Sequence, residues 1–541
     1  MGRLHHKSSV RDSIVNTLIP GVAVSGLTGL AVGVCVFFYK WGADALHRIS
    51  DQLYESVRAH LVYLPLFLLG LIALACLMNL IIKWEPAVAG GGIARAEGVM
   101  RGLFPIRVFP TFFGAIGASM TGFLGGLPLG SEGPSVLIGT SLGGMFNRLA
   151  PGKRAWRRYT LTAGGAAGFA VATGAPLAGV LFALEETHRK FSPMILLVAT
   201  SGVLCASIAN VALGLTFKVD VTLIQFGTVA SLPFSAIWIP AVVGIVTGVA
   251  AGLFNRIALA VGTINAKQLG RISGFIKLPI LFAAVGLIGL FVKEARGSGS
   301  HLIETLASQA FPWYLLLALL ALRGVLVLVS SSSGASGGMF IPTLVIGALI
   351  GALTAELLIL AGVDPAYRSM ILVFAVCGFL GGCMRAPVTA IVFTLEVTAN
   401  LTGLNLLYVV IVSFLSYTAT QFVCSESLSE VLLSRMLRSR DGEKTPEILC
   451  CDLTVQAHSF VVGKAVRDLL MPPNSLIGRI AREGKDVRQG KMVKSGDKKL
   501  HAGDRLSVQV QTYDRTGTEQ ELTALFGNQK VEFRELNDRT D

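Results

Sequence analysis

Glu132 stands in the run Gly130-Ser131-Glu132-Gly133-Pro134, a carboxylate set between glycines where a proline starts a helix. Glycine lets the backbone come close to a ligand, and proline in the first turn opens a helix whose leading N–H groups lack partners. Such an end attracts anions. A carboxylate tethered there can occupy the site in an anion's place; the ordinary alternative is that it caps its own helix. A second break runs from Ser333 through Gly334, Gly337 and Gly338 to Pro342 and holds no carboxylate. It offers only backbone amides, notably those of Met339, Phe340 and Ile341. Neutral dipoles can hold a dehydrated halide without trapping it as a full lysine or arginine charge would. A plain packing loop is the alternative here.

Two further runs carry carboxylates. Gly90-Gly91-Gly92-Ile93-Ala94-Arg95-Ala96-Glu97 contains a triple glycine, which taken alone reads as a flexible turn. Glu185 and Glu186 follow a nearly uncharged helix. Adjacent side chains on a helix point about 100° apart, so at most one of the two faces a given cavity. A carboxyl group at membrane depth is a functional candidate by default, and burial lets one exchange protons near neutrality. The alternative is a solvated helix end beside His188, Arg189 and Lys190.

The composition determines which elements must position these groups. Of 541 residues, 52% are hydrophobic and 15% charged, 61 are glycine, and the mean hydropathy is +0.65. Those values fit a lipid-facing bundle and exclude disordered, collagen-like and disulfide-scaffold proteins. From Arg440 onward there are 17 Lys/Arg and 16 Asp/Glu, leaving 29 and 17 for residues 1–439, a net +12 in the apolar part. Basic cytoplasmic loops explain that excess, and an attraction for anions has the same sign. No basic stripe carries interleaved aromatics, so nucleic acid is not expected. The eight cysteines show no metal spacing, and no cofactor motif is present. The basic start before the first apolar helix places the N-terminus in the cytoplasm.

Apolar segments recur near 14–39, 62–83, 110–128, 135–149, 158–189, 193–215, 232–262, 273–293, 312–330, 340–362, 369–383, 386–399 and 403–424. Many are short or broken by Gly and Pro. Broken helices at membrane depth are tolerated where they line a cavity or are buried in protein. An internal repeat organises them. Gly168-Phe169, Ala175-Pro176 and the segment ending at Glu185 recur as Gly378-Phe379, Ala386-Pro387 and the segment ending at Glu396, and Pro134 corresponds to Pro342. Two such halves meet around a pseudo-two-fold axis with the substrate near the midplane. The halves are 12–215 and 216–438, preceded by a segment 1–11. A linker, 439–449, leads to a small cytoplasmic α/β domain, 450–541. Strands are expected at 453–457, 475–480 and 505–511, and helices at 463–471 and 517–526.

With these residues in view, the chain resembles the CLC family of chloride channels and chloride/proton antiporters over roughly residues 12–438. The pairing of GSEGP with GGMFIP, and the repeated Ala-Pro…Leu-Glu segments, carry the likeness. The resemblance implies an all-α polytopic membrane protein, an inverted-repeat bundle of about 17–18 helices, many broken or tilted. It implies a homodimer with both termini cytoplasmic, in a bacterial inner membrane. Glu132 is similar to the family's external gating glutamate, and Glu186 to its internal proton acceptor. The amides of Met339, Phe340 and Ile341 are similar to its chloride ligands. Gly91 stands where the family has a serine. Ser429 stands where it has a tyrosine, and Ser131 where a basic residue is common. The first two losses widen the inner entrance and predict weaker anion binding. The tail resembles the C-terminal regulatory domain of bacterial potassium-uptake and conductance proteins (the RCK_C/TrkA_C type), which implies a small ligand or dimer contacts.

The expected function is therefore secondary-active exchange of chloride for protons across the bilayer, with no enzymatic step and no cofactor. A passive channel for chloride or another anion on the same scaffold, or an exchanger with weakened coupling, is the alternative. A hydrolase built on Ser131 is disfavoured because no histidine in these motifs can serve as its base.

Overall fold

The computed structural model describes residues 18–150, 152–222, 224, 226, 229–265, 273–398, 401, 403–441, 446–482, 490–493, 495–528 and 531–535. The expected N-terminal segment 1–11 and the centre of the linker, 442–445, lie outside the described residues. Seventeen α-helices precede the strands among the described residues.

The first half contains α1 (Ile19–Ala59), α2 (Leu64–Trp84), α3 (Ile93–Met100), α4 (Val108–Leu124), α5 (Glu132–Phe146), α6 (Lys153–Thr173), α7 (Pro176–Leu181) and α8 (Pro193–Phe217). The second contains α9 (Trp238–Ile264), α10 (Gly274–Phe291), α11 (Ser300–Ser308), α12 (Trp313–Ser332), α13 (Phe340–Leu360), α14 (Arg368–Met384), α15 (Pro387–Val397), α16 (Leu404–Val423) and α17 (Leu428–Asp441). Nine of the helical stretches among the described residues are long and apolar enough to cross a membrane. They divide by position: 17% of the apolar window containing α2 is buried, against 83% for the one containing α14. A helix apolar on every face must be central or lipid-facing, and both kinds are present.

Small residues bring the central helices together. A Cβ at Gly139 of α5 would lie 2.1 Å from the Gly164 carbonyl oxygen of α6, and one at Gly143 would lie 2.3 Å from that of Thr160. Close backbone approach of this kind is how helices associate where water supplies no drive. The apolar run 158–189 is not one helix. Gly174, in the left-handed region at φ +68°, ends α6, and Pro176 starts α7, which passes into a π turn at Phe182–Thr187.

The repeat has a physical signature. The carboxylate of Glu185 accepts hydrogen bonds from the Val388 and Thr389 amides at the head of α15, at 3.0 and 2.6 Å, and from the Thr389 hydroxyl. Glu396 accepts from the Leu177 and Ala178 amides at the head of α7, at 2.8 and 2.9 Å. Each half thus caps the other's proline-started helix through corresponding residues, the reciprocal contact that two-fold symmetry produces. Glu185 is therefore a structural cap, and so is Glu396.

At the C-terminal end, β1 (Glu447–Thr454), β2 (Ser475–Ala481), β3 (Lys491–Met492), β4 (Arg505–Thr512), α18 (Arg515–Phe526) and β5 (Phe533–Glu535) form a small domain. Its sheet, ordered β3-β2-β4-β1-β5, is antiparallel at every pairing. Regular structure reaches into both ends of 439–449, since α17 runs to Asp441 and β1 begins at Glu447. The helix expected at 463–471 is replaced by turns and a single 3₁₀ turn, Val466–Asp468. There the Val466 and Arg467 amides donate to the Lys498 and Gly496 carbonyls, so the backbone is satisfied across the domain instead of along a helix.

Removing either cap is expected to destabilise the bundle. Glu185→Ala and Glu396→Ala should each cost about 1–2 kcal/mol, read as a lower thermal-unfolding temperature in detergent. Glu185→Ala should cost more, because it loses three bonds.

Candidate functional site

Three glycine breaks meet at one place. Gly130 donates to the Gly338 carbonyl at 2.8 Å and accepts from the Gly338 amide at 2.6 Å, while Gly90 donates to the Gly334 carbonyl at 3.2 Å. A Cβ at Gly133 would lie 2.3 Å from the Gly91 carbonyl oxygen and 2.9 Å from the Gly338 Cα. Any side chain at 133 would therefore push the breaks apart. Gly92 sits at φ +65°, and a Cβ on it would lie 2.4 Å from the Gly133 carbonyl carbon. The heads of α3, α5 and α13 consequently converge, each ending in amides that lack helical partners.

Glu132 is the first residue of α5 and is fully buried. Its Oε1 accepts from the Ser131 hydroxyl at 3.2 Å, and its Oε2 has no hydrogen-bond partner among the described residues. The side chain curls over the paired glycines, with Oε2 at 3.2 Å from where a Gly338 Cβ would sit. The Ile341 amide and the Lys40 ammonium both act on this carboxyl. A buried oxygen left unpaired costs about 1–3 kcal/mol, so the pose is one that a competing anion or a proton can displace. Lys40, on α1, supplies the positive charge that Ser131 does not; its distance in sequence hid it from motif analysis.

Gly91, Met339, Phe340 and Ser429 line a single cavity of about 10 Å³, room for about one water-sized sphere. The amides at 339 and 340 head α13, and Phe340 is fixed edge-on between Phe169 and Phe393, with ring centroids 5.0 and 5.3 Å away. Ile341 lies outside this lining, on the Glu132 side. The wider space expected from losing a serine at 91 and a phenol at 429 is not found. Leu428, Leu432 and Met384 close around the cavity, and the Leu432 Cδ1 stands 3.5 Å from where a Gly91 Cβ would be.

Ser429 also has a second role. Its hydroxyl donates to Glu186 Oε1 at 2.5 Å, so one residue touches both the anion cavity and the inner carboxyl. Glu186 is buried in the π turn, a form of helix frequent at functional sites, while its neighbour Glu185 turns away to cap α15. A third carboxyl, given no role by its motif, stands beside it: Glu97, buried on α3, interacts with Glu186. Two carboxyl groups in one buried place suit proton transfer, since one can hand a proton to the other. The triple glycine read as a flexible turn instead starts α3 and turns Glu97 inward. An acidic residue in an otherwise apolar run was the available signal.

Known proteins with this arrangement can now be named. The family described as voltage gated chloride channel matches residues 73–421. The chain is 33% identical over 463 residues to the H(+)/Cl(−) exchange transporter ClcA of Salmonella arizonae, covering 82% of this chain and 93% of that one. It is 32% identical to the protein of the same name from Citrobacter koseri, over 82% and 92% of the two chains. Among solved structures, a slow cyanobacterial Cl−/H+ antiporter matches with a TM-score of 0.71 at 23% identity, over 78% of this chain and 99% of that one. A CLC-type fluoride/proton antiporter matches at 0.61 and 21% identity, over 76% and 98%. With Glu132, the paired glycine breaks and the capped repeats in place, the chain is a multi-pass integral membrane protein of the CLC, or voltage gated chloride channel, family.

Proposed function

We propose that this protein is a secondary-active chloride/proton antiporter. The observation that carries the proposal is Ser429, which lines the anion cavity and whose hydroxyl donates to Glu186. In this reading the Met339 and Phe340 amides hold chloride, and Glu132 competes for the adjoining position beside the Ile341 amide. A proton arriving at Glu132 neutralises it and releases it from the helix ends, because only the carboxylate is attracted to them. Chloride then takes the vacated place. Glu186, with Glu97, delivers protons from the inner side, and the Ser429 contact makes that delivery sensitive to the anion's presence. Relatives about one-third identical over most of their length carry the name H(+)/Cl(−) exchange transporter, which supports the same reading.

Two residues favour looser coupling than strict exchange. Gly91 offers no hydroxyl, and Ser429 spends its own on Glu186, so the anion is held by backbone amides alone. We further propose a homodimer in a bacterial inner membrane with both termini cytoplasmic, and a regulatory role for the RCK_C-like C-terminal domain. The family likeness, the basic loops and the near-neutral tail support these points.

Reconstituted vesicles test the reading directly. A chloride gradient should drive protons uphill, and Glu132→Gln should cut proton movement about a hundredfold while chloride still flows. Chloride flux without protons in the unmodified protein would instead identify a passive channel. Gly91→Ser should tighten chloride binding about fivefold, the worth of one added donor of roughly 1 kcal/mol, as measured by titration calorimetry. The backbone accepts a Cβ at 91, which meets nothing closer than 3.5 Å.

A further inference from the structure

The membrane bundle and the C-terminal domain are joined by polar contacts that surround a cavity. The Tyr159 hydroxyl donates to the Asp468 carbonyl at 2.5 Å and accepts from the Leu470 amide at 3.1 Å. The Ser192 hydroxyl donates to the Asp468 carboxylate at 2.9 Å, and Lys190 Nζ donates to the Leu469 carbonyl at 2.8 Å. Arg158 donates to the Leu470, Met471, Met100 and Arg101 carbonyls. Between these ties lies a space of about 460 Å³, within the usual range for small-molecule sites.

The walls of that space differ sharply. From the membrane side Arg101, Arg158, His188 and Lys190 line it, and no carboxylate does among the described residues. The Arg101 guanidinium makes no hydrogen bond or ion pair among the described residues, though its charge acts on Glu97 of the same helix. From the domain side come an apolar wall and the Asn474-Ser475 turn, with Asn474 at φ +55°. The Ser475 hydroxyl is shielded from solvent yet has no partner among the described residues. The nearby acids are already engaged: Asp468 takes the Ser192 hydroxyl, and Glu521 of α18 acts on Arg158 from outside the lining. Burial first, and then the adjacent Arg158, pull the Lys190 ammonium down to about 8 against the opposing attraction of Asp468.

We propose that this cavity binds a small phosphate-bearing anion, with Arg101 and Lys190 as its charged contacts and Ser475 as a donor from the opposite wall. Cations with spare donors around a cleft suit phosphate oxygens, which accept several charge-assisted bonds at once. The site is placed to regulate transport. Arg101 ends α3, the helix that carries Glu97, while His188 and Lys190 follow within four residues of Glu186. An anion drawing these side chains together would act on both elements that hold the inner carboxyl pair, and would clamp the domain to the bundle. The proposal concerns binding and stands whether the protein exchanges or conducts.

The full chain in phosphatidylcholine nanodiscs, titrated with pyrophosphate and with AMP, provides the test. Thermal unfolding should shift upward by several degrees, beyond any shift from chloride at matched ionic strength. Arg101→Gln and Lys190→Gln should each weaken binding about tenfold, the worth of one charge-assisted bond. Ser475→Trp, which fills the cavity from the other wall, should abolish it. If phosphatidylglycerol in the nanodisc stabilises the protein and the soluble probes do not, the phosphate comes from a lipid headgroup. In that case the same three substitutions should remove the stabilisation. No stabilisation from either source, or equal stabilisation in all three variants, overturns the proposal.

Discussion

Two backbone hydrogen bonds between Gly130 and Gly338 hold the rest of the site in place. They join the two halves where each is broken, so that helices α5 and α13 begin side by side. Without side chains at these positions or at Gly133, the chains approach closely enough for their unpaired amides to share one small volume. The electrostatics follow from that geometry. Several amide dipoles point at one place, and the Glu132 carboxyl is tethered there with an oxygen unsatisfied among the described residues. A site so arranged binds a negative charge and carries its own competitor for it.

The reciprocal caps from Glu185 and Glu396 serve the same end from the opposite side. They fix α7, whose continuation bears Glu186, and α15, which itself bears Phe393, and so fix the inner carboxyl and the aromatic packing of Phe340 against a rigid frame. Ser429 then touches the cavity with one side and Glu186 with its hydroxyl. Anion and proton positions are thereby in contact through a single residue, a physical route by which occupancy of one can bias the other.

Much of this was legible in the sequence because the breaks are local signals. Gly130 to Pro134 and Gly337 to Pro342 announce themselves by composition, and their repetition shows that they belong together. What stayed hidden depends on contacts remote in the chain. Lys40 acts on Glu132 across some ninety residues. Glu97 is inward-facing only because Gly92 turns the chain against Gly133. The fate of Ser429 could not be foreseen either: losing the phenol predicts an opening, but Leu428, Leu432 and Met384 take up the space. In the tail, 463–471 has a helical look in isolation, yet its amides find carbonyls at 496 and 498 and the following Pro472-Pro473 forbids continuation.

The most direct measurement of the central claim is anomalous diffraction from crystals soaked in bromide. The account predicts a peak in the cavity lined by Gly91, Met339, Phe340 and Ser429. In Glu132→Gln it predicts a second peak beside the Ile341 amide, where the carboxylate had been. Bromide found elsewhere, or a single unchanged site in both proteins, would contradict it.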